Sequence, residues 1–128
     1  MNKIETGKPV KRFIKIMKAL ADPNRVKILK LLQQKTMCVC ELQGALGISQ
    51  SSVSKHLKIL EEAGLVDFFK DGLWVNYFLT KDSPNPYAAV MLENLKQWLE
   101  DDVEITGLIK KVPLLDREIL CGRPRNNS

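Results

Sequence analysis

Apolar residues recur at helical spacing in the first part of the chain and predict two helices. The first, amphipathic helix is predicted to end before Asp22 and Pro23. Because aspartate is a good N-cap and proline suits the first helical position, a second helix should begin at Pro23 and run to about residue 34. The apolar positions are Val10, Phe13, Ile14, Met17 and Leu20 in the first helix and Val26, Ile28, Leu29, Leu31 and Leu32 in the second.

Two shorter helices joined by a tight turn are predicted next. The third helix should begin near Met37 or Cys38 and end between Gly44 and Gly47, where glycine favours a turn. Ser49 is the predicted N-cap of a fourth helix, whose buried stripe falls at i, i+4 and i+7. Such a pair is typical of a helix-turn-helix, in which the second helix enters the major groove of DNA. The stripe consists of Val53, Leu57 and Leu60.

A β-hairpin is predicted after the fourth helix. β-Branched and aromatic residues dominate residues 65–69 and 73–79, which indicates two strands. The dipeptide Asp71-Gly72 between them is a strong hairpin signal, because these residues accept the positive φ angles of a tight turn. This hairpin is the expected wing of the fold.

The last predicted element is one long helix from Pro86 to just before Pro113, with Asn85 as its N-cap. Its apolar stripe is broader than a small winged domain needs for its own core. We interpret the acidic cluster in the same segment as a solvated helix face. The apolar positions are Tyr87, Met91, Leu95, Trp98, Leu99, Val103, Ile105, Leu108 and Ile109, and the acidic cluster is Glu100, Asp101, Asp102 and Glu104.

Together these elements predict a mainly α fold with a β-hairpin wing, a winged helix-turn-helix. Surplus apolar surface on the helices at both ends is best buried against a second copy of the chain. We therefore expect a homodimer, with the N- and C-terminal helices forming the dimer interface; the alternative is a monomer in which both helices cover only their own core. Residues 1–112 should form the DNA-binding and dimerisation domain, and residues 113–128 a tail docked around Cys121.

Composition and charge narrow the class of partner. The 128 residues, 45% of them hydrophobic, fit one domain without a separate effector domain. The net charge is +5, and residues 1–81 hold 14 Lys and Arg against 7 Asp and Glu, an excess that fits a polyanion such as double-stranded DNA. Neither an apolar run of membrane-spanning length nor a secretory signal pattern is visible, so we expect a cytoplasmic protein with no membrane partner.

Two cysteines lie close together at the predicted start of the third helix. Cys38 and Cys40 flank Val39, and thiolates select thiophilic ions over hard, oxygen-seeking ones. Three cysteines, an odd number, make a poor disulfide framework, so reduced thiols available for a metal are the better interpretation. Residues two apart on a regular helix point about 200° apart, so both sulfurs can reach one ion only if the helix start unwinds.

Several segments resemble the ArsR/SmtB family of winged helix regulators, the arsenical-repressor family. The resemblance covers roughly residues 10–110. It implies a dimer that binds imperfect palindromes in the operators of metal-resistance genes and leaves them when the ion arrives. The segments are LADPNRVKIL at residues 20–29, SQSSVSKHL at 49–57, LEEAGLV at 60–66 and GLWV at 72–75.

The resemblance also suggests an inducer. Cys38-Val39-Cys40 is similar to the segment by which arsenic-responsive members of the family bind trivalent arsenic or antimony. Those members often carry a third cysteine one turn further on, where this chain has Gln43. Cys121 is the candidate third sulfur, provided that the tail folds back within its own subunit or across the dimer. The alternative is a site of two sulfurs that another ligand completes. The predicted function is a transcriptional repressor that arsenite or antimonite releases from operator DNA, without an organic cofactor.

DNA contacts are predicted along the polar face of the fourth helix and at the wing tip. Glutamine and serine side chains bond base edges or phosphates, and lysine supplies charge to phosphates. His56 is the only histidine, which argues against a zinc site built from several imidazoles. The predicted DNA-binding residues are Gln50, Ser51, Ser52, Ser54, Lys55, His56 and Lys70.

Other functions stay open at this point. One is a thiol redox-sensing transcriptional regulator of the same fold, which uses Cys38 and Cys40 together with Cys121. Another is a protein-interaction module that does not bind DNA, and in a third interpretation the cysteines are merely small buried hydrophobes. An enzyme is not expected, because the sequence has no glycine-rich phosphate loop, nucleophile elbow or catalytic triad.

Overall fold

The computed structural model describes residues 8–116, in which helices precede and follow a small sheet. The predicted helix-turn-helix and wing are both present. The elements are α1 (Lys8–Leu20), α2 (Pro23–Leu32), β1 (Met37–Cys38), α3 (Val39–Leu46), α4 (Gln50–Glu62), β2 (Val66–Asp71), β3 (Trp74–Leu79), α5 (Pro86–Leu95), α6 (Val103–Lys111) and a 3₁₀ turn (Val112–Leu114).

The helices begin where the sequence places capping side chains. The carboxylate of Asp22 accepts hydrogen bonds from the N–H groups at the start of α2, and Ser49 Oγ accepts one from Ser52 at 3.1 Å. Asn85 caps α5 in the same way. Gly47, with φ of 71°, ends α3 in the left-handed conformation that glycine adopts without strain. All three predicted N-caps are confirmed.

The sheet contains one strand more than the predicted hairpin. Its antiparallel order is β1-β3-β2, and β2 pairs with β3 from Val66 opposite Leu79 to Asp71 opposite Trp74. β1 consists only of Met37 and Cys38, which lie opposite Tyr77 and Asn76. A strand of two residues is too short to show an alternating pattern, so the sequence offers no signal for it. Residues expected at the start of the third helix therefore belong partly to the wing sheet.

The long final helix predicted from Pro86 onward is wrong, because the segment forms two helices. α5 ends at Leu95, Leu99 has a positive φ of 65°, and Asp102 caps α6 by accepting a hydrogen bond from the N–H of Ile105 at 3.0 Å. Apolar spacing continues through the break, which is why periodicity alone predicts a continuous helix. The break redirects the chain so that α6 packs against α2.

A buried lysine accounts for the position of this break. Lys30, 1% exposed on α2, donates to the carbonyl oxygens of Leu95 and Trp98 at 2.8 and 2.9 Å and forms an ion pair with Glu100. Carbonyls that a helix end leaves without partners are thereby satisfied. The acidic cluster is exposed to solvent as predicted, but it is not one helix face, because only Glu104 lies within a helix. Glu100 pairs with Lys30, Asp102 is a cap, and Glu104 pairs with a lysine of α2.

The core lies among the first four helices and the sheet, and the buried sides of α5 and α6 close it. Burial of one such aliphatic side chain contributes about 1.5–3 kcal/mol, so this cluster fixes the position of α4 relative to the rest. Its fully buried members include Ile16, Ile28, Leu29, Leu31, Met37, Leu42, Val53, Leu57, Leu60 and Leu65.

Candidate DNA-reading surface and thiol site

Helix α4 presents a buried face and a polar face. Val53, Leu57 and Leu60 have no exposed surface and hold the helix against α3 and the core, as their spacing predicts. The opposite face is accessible along its whole length. Its exposed polar residues are Gln50, Ser51, Ser54, Lys55 and Lys58, and the helix ends in the exposed Glu61 and Glu62.

Among the predicted DNA-binding residues, Ser51, Ser52 and His56 have protein partners. Ser51 Oγ lies 3.2 Å from Ser49 Oγ. Ser52 is half-buried, and its Oγ accepts a hydrogen bond from Ser49 Oγ at 2.9 Å. Gln50, Ser51, Ser54 and Lys55 share the open face of α4, and Lys70 is exposed on the wing. The structure thus brings four of the predicted contacts onto one surface, and DNA contact by each residue stays a prediction.

His56 faces the corner between α1 and α2. Its Nδ1 lies 3.2 Å from Nη1 of Arg25, and its Nε2 lies 4.0 Å from Asp22. Arg25 in turn donates to the carbonyl oxygens of Ala19 and Lys18 at 2.7 and 3.0 Å. Sequence reasoning assigns Arg25 no role, because its partners are carbonyls and a histidine 31 positions away.

Electrostatics at this corner favour the ionised form of Asp22. Burial alone would raise the pKa of Asp22, but the N–H groups of Arg25 and Asn24 and the charges of His56 and Arg25 lower the pKa overall. The carboxylate therefore serves as a charged cap at the start of α2, where the helix dipole also favours a negative charge.

Cys38 lies at the junction of the wing sheet and the helix-turn-helix. It is the last residue of β1 and the N-cap of α3, with extended backbone angles (φ −89°, ψ 172°) and 3% exposure. Cys40 follows in the first turn of α3. The prediction that both cysteines share one helix is therefore wrong. Because Cys38 lies outside the helix, the angle of about 200° between residues two apart on a helix does not apply to this pair.

The two cysteines differ in chemical state. Cys38 has a free thiol, and burial raises its pKa, as does the neighbouring Glu41 carboxylate, against a lowering effect of nearby N–H groups. Cys40 is half-buried and disulfide-bonded, so the prediction of reduced thiols is wrong for this cysteine in the structure. Cys121 lies outside the described residues. Within residues 8–116, no group of three or more His, Cys, Asp or Glu side chains could hold a metal ion.

Glu41 is a buried acidic residue that the sequence analysis missed. Its Oε1 accepts a hydrogen bond from the backbone N–H of Cys38 at 3.0 Å, and its Oε2 lies 3.0 Å from Nζ of Lys35. The signal was present in the sequence, because a glutamate three residues after an N-cap is the spacing of a capping box. Cysteine in place of serine or threonine at the N-cap obscures it.

A polar-faced helix held beside a three-stranded wing defines a winged helix-turn-helix DNA-binding regulator. Residues 22–67 match the family model described as bacterial regulatory protein, arsR family. The arsenical resistance operon repressor of Escherichia coli (strain K12) is 34% identical over 114 residues, which cover 88% of this chain and 92% of that protein. The chain belongs to the arsR family, and it is a DNA-binding transcriptional regulator rather than an enzyme.

Solved structures agree with this fold. Reduced HlyU from Vibrio cholerae N16961 is 32% identical, with a TM-score of 0.60 over 73% of this chain and 94% of that chain. A homodimeric winged helix-turn-helix DNA-binding domain from Mycobacterium bovis has a TM-score of 0.63 over 81% and 92% of the two chains, at 22% identity. In the described part of the chain, no helix is long and apolar enough to cross a membrane.

Proposed function

We propose that this protein is a metal(loid)-responsive transcriptional repressor, which binds operator DNA in the cytoplasm as a homodimer and dissociates when arsenite or antimonite binds Cys38 and Cys40. Cys121 is the proposed third ligand. The observation that carries the proposal is the position of Cys38, which belongs at once to β1 and to the N-cap of α3. The name of the Escherichia coli relative, an arsenical resistance operon repressor, supports the class of inducer.

Both cysteines lie next to the elements that are expected to contact DNA. Cys38 lies opposite Asn76 in the wing strand β3, and Cys40 is in α3, which packs against the recognition helix α4. An ion that prefers a rearranged backbone at residues 38–40 therefore acts on the wing and on α4 together. Since the ligand shifts the equilibrium only by its differential affinity for the two states, a preference of about 1.4 kcal/mol changes operator affinity tenfold.

The chemistry of the donors suits trivalent arsenic. Each As–S bond that forms replaces an As–OH bond of arsenite, and the thiol proton leaves with the hydroxide as water. Thiolates are soft ligands that trivalent arsenic favours, and binding is coupled to deprotonation of the thiols. Cys40 must be in its reduced form for this reaction.

Exposed apolar side chains support a second copy of the chain as partner. On α1, Val10 is 70% exposed and Phe13 and Ile14 are each more than 40% exposed, and Val90 is exposed on α5. Phe13 packs edge-to-face on Tyr87 of α5 with ring centroids 5.6 Å apart, so α1 and α5 form one continuous surface. A dimer that buries this surface places two α4 helices against two half-sites.

A redox-responsive regulator of the same fold is the second candidate, favoured by the disulfide at Cys40. Two thiols joined by a disulfide transfer two electrons and two protons to an oxidant, and peroxide is thereby reduced to two waters. In this case oxidation itself, rather than a bound ion, would change the first turn of α3 and release the operator.

Titration of operator binding separates these functions. Fluorescence anisotropy on the DNA upstream of the protein's own gene should give tight, salt-dependent binding in strong reductant, and arsenite should release it. Cys38→Ser and Cys40→Ser should bind DNA but ignore arsenite, and Cys121→Ser tests the third ligand. Release by peroxide alone, with no effect of arsenite in reductant, would favour the redox candidate. Absence of salt-dependent binding would favour a protein-interaction module.

A further inference from the structure

A buried carboxylate closes the turn that carries both cysteines. Glu41 is 5% exposed, and each of its two carboxylate oxygens has a partner on the segment before α3. Oε1 accepts a hydrogen bond from the backbone N–H of Cys38 at 3.0 Å, and Oε2 forms an ion pair with Nζ of Lys35 at 3.0 Å. We call Lys35, Cys38 and Glu41 the clasp.

The clasp acts on the backbone that any shared ligand of the two sulfurs must change. Glu41 is on α3, whereas Cys38 ends β1 and Lys35 precedes it, so the carboxylate spans the strand-to-helix junction. A movement of Cys38 toward Cys40 lengthens the bond from the Cys38 N–H to Oε1. Because the carboxylate is buried, a lost partner leaves a poorly solvated charge, which costs more than the same bond at the surface.

The two sides of the clasp differ in access to solvent. The Lys35 side chain is 42% exposed and that of Glu41 is 7% exposed. Replacement of Lys35 therefore leaves no cavity in the core and removes only the ion-pair partner of Glu41, whereas replacement of Glu41 needs a side chain of the same shape. Gln satisfies this requirement, since its amide oxygen still accepts from Cys38 while the negative charge and the ion pair are removed.

We propose that the clasp holds the first turn of α3 closed and thereby sets the concentration of arsenite needed to release the operator. Glu41 is a positioning residue in this scheme, not a ligand of the ion. The inference rests on the proposed function for its link to arsenite, but the restraint on the turn is a property of the protein alone.

Arsenite titrations on operator-bound protein test whether the clasp sets the arsenite concentration that releases the operator. Glu41→Gln should lower the arsenite midpoint about tenfold, because the closed state alone loses the ion pair with Lys35 and keeps only a weaker hydrogen bond from Cys38 to a neutral acceptor. Lys35→Met should lower it in the same direction by a smaller factor. Lys96→Met is the matched control, since Lys96 forms an exposed ion pair with Glu93 at 3.1 Å, and its midpoint should equal that of the wild type.

Amide hydrogen exchange of the arsenite-free, reduced protein tests the restraint directly. The Cys38 amide should exchange about tenfold faster in Glu41→Gln than in the wild type, with core amides unchanged. If Glu41→Gln does not fold, Lys35→Met decides the matter by the same two measurements. Unchanged exchange, an unchanged midpoint or a raised midpoint would each overturn the proposal. If arsenite does not release the wild type from operator DNA, the proposed function is wrong. The amide exchange of Cys38 still tests whether the clasp restrains the turn.

Discussion

The guanidinium of Arg25 connects the recognition helix to the N-terminal helix, because its Nη1 lies 3.2 Å from Nδ1 of His56 while its Nε and Nη2 donate to Ala19 and Lys18. The last carbonyls of a helix have no partners within the helix, so Arg25 caps α1 and positions α4 against it at the same time. The planar, multiply donating arginine side chain suits this role better than lysine does.

Arg25→Met should therefore weaken both the fold and operator binding. Loss of the donors leaves the carbonyl of Ala19 and Nδ1 of His56 without this partner, whereas the carbonyl of Lys18 keeps the N–H of Ala21. The free energy of unfolding in urea should fall by about 1–3 kcal/mol. Arg25→Lys should restore only part of this. Lys110→Met, at an exposed position of α6, should stay within about 0.5 kcal/mol of the wild type. If Arg25→Met is as stable as the wild type, the contacts of Arg25 with α1 and His56 do not contribute to the free energy of unfolding.

Lys30→Met tests the buried lysine that ends α5. The variant leaves the carbonyls of Leu95 and Trp98 and the carboxylate of Glu100 without their shared donor. We expect a loss of about 3 kcal/mol in the free energy of unfolding. Lys96→Met is the matched control, because Lys96 forms an ion pair with Glu93 that is exposed on both sides, and its replacement should cost less than about 1 kcal/mol. Equal losses of unfolding free energy in both variants would contradict the role of Lys30 in stabilising the end of α5.

Local features of the fold can be predicted from the sequence, and long-range ones cannot. Asp22, Ser49 and Asn85 act on N–H groups two or three residues away, so their type and position suffice to predict helix starts. The break after α5 depends on Lys30, which is 65 residues from Leu95 in the chain. Apolar spacing continues across that break, so no local pattern competes with the prediction of one helix.

The same distinction holds for the site. The polar face of α4 follows from the spacing of Val53, Leu57 and Leu60, and the structure confirms it. The contact between Arg25 and His56 could not be predicted, because it depends on how α4 packs against the corner of α1 and α2. The sequence suggests by residue type alone which side chains contact DNA or an ion. It cannot single out one residue, because several exposed residues share each surface.

The ionised form of Asp22 predicts a pH dependence of stability. A carboxylate whose pKa is lower in the folded protein stabilises the fold above its unfolded pKa, and this contribution is lost as the pH falls through the folded value. Asp22→Asn keeps a good N-cap but removes the charge. The stability advantage of the wild type over this variant should be present in full above about pH 5 and shrink as the pH falls below about 4, the ordinary pKa of an aspartate. An advantage that grows in acid would contradict the lowered pKa.

Lys55 is predicted to contact a phosphate rather than a base. Lys55→Met should weaken binding to all DNA sequences alike and reduce the slope of log K against log salt concentration by about 1. Its exposed position on α4 predicts no change in thermal stability. Lys96→Met has the same change of charge away from the reading surface and should leave the slope unchanged. A loss confined to one operator sequence would instead indicate contact with a base edge.

Ile14→Glu should separate dimerisation from folding. Ile14 is 42% exposed on α1, beside Val10, so a charge there leaves the monomer core intact but is buried unpaired in a dimer that uses this face. Sedimentation should show a monomer, and operator affinity should fall because one α4 helix is left with a single half-site. Leu73→Glu, at the exposed wing tip, should remain a dimer. If Ile14→Glu sediments like the wild type, the dimer interface does not include α1.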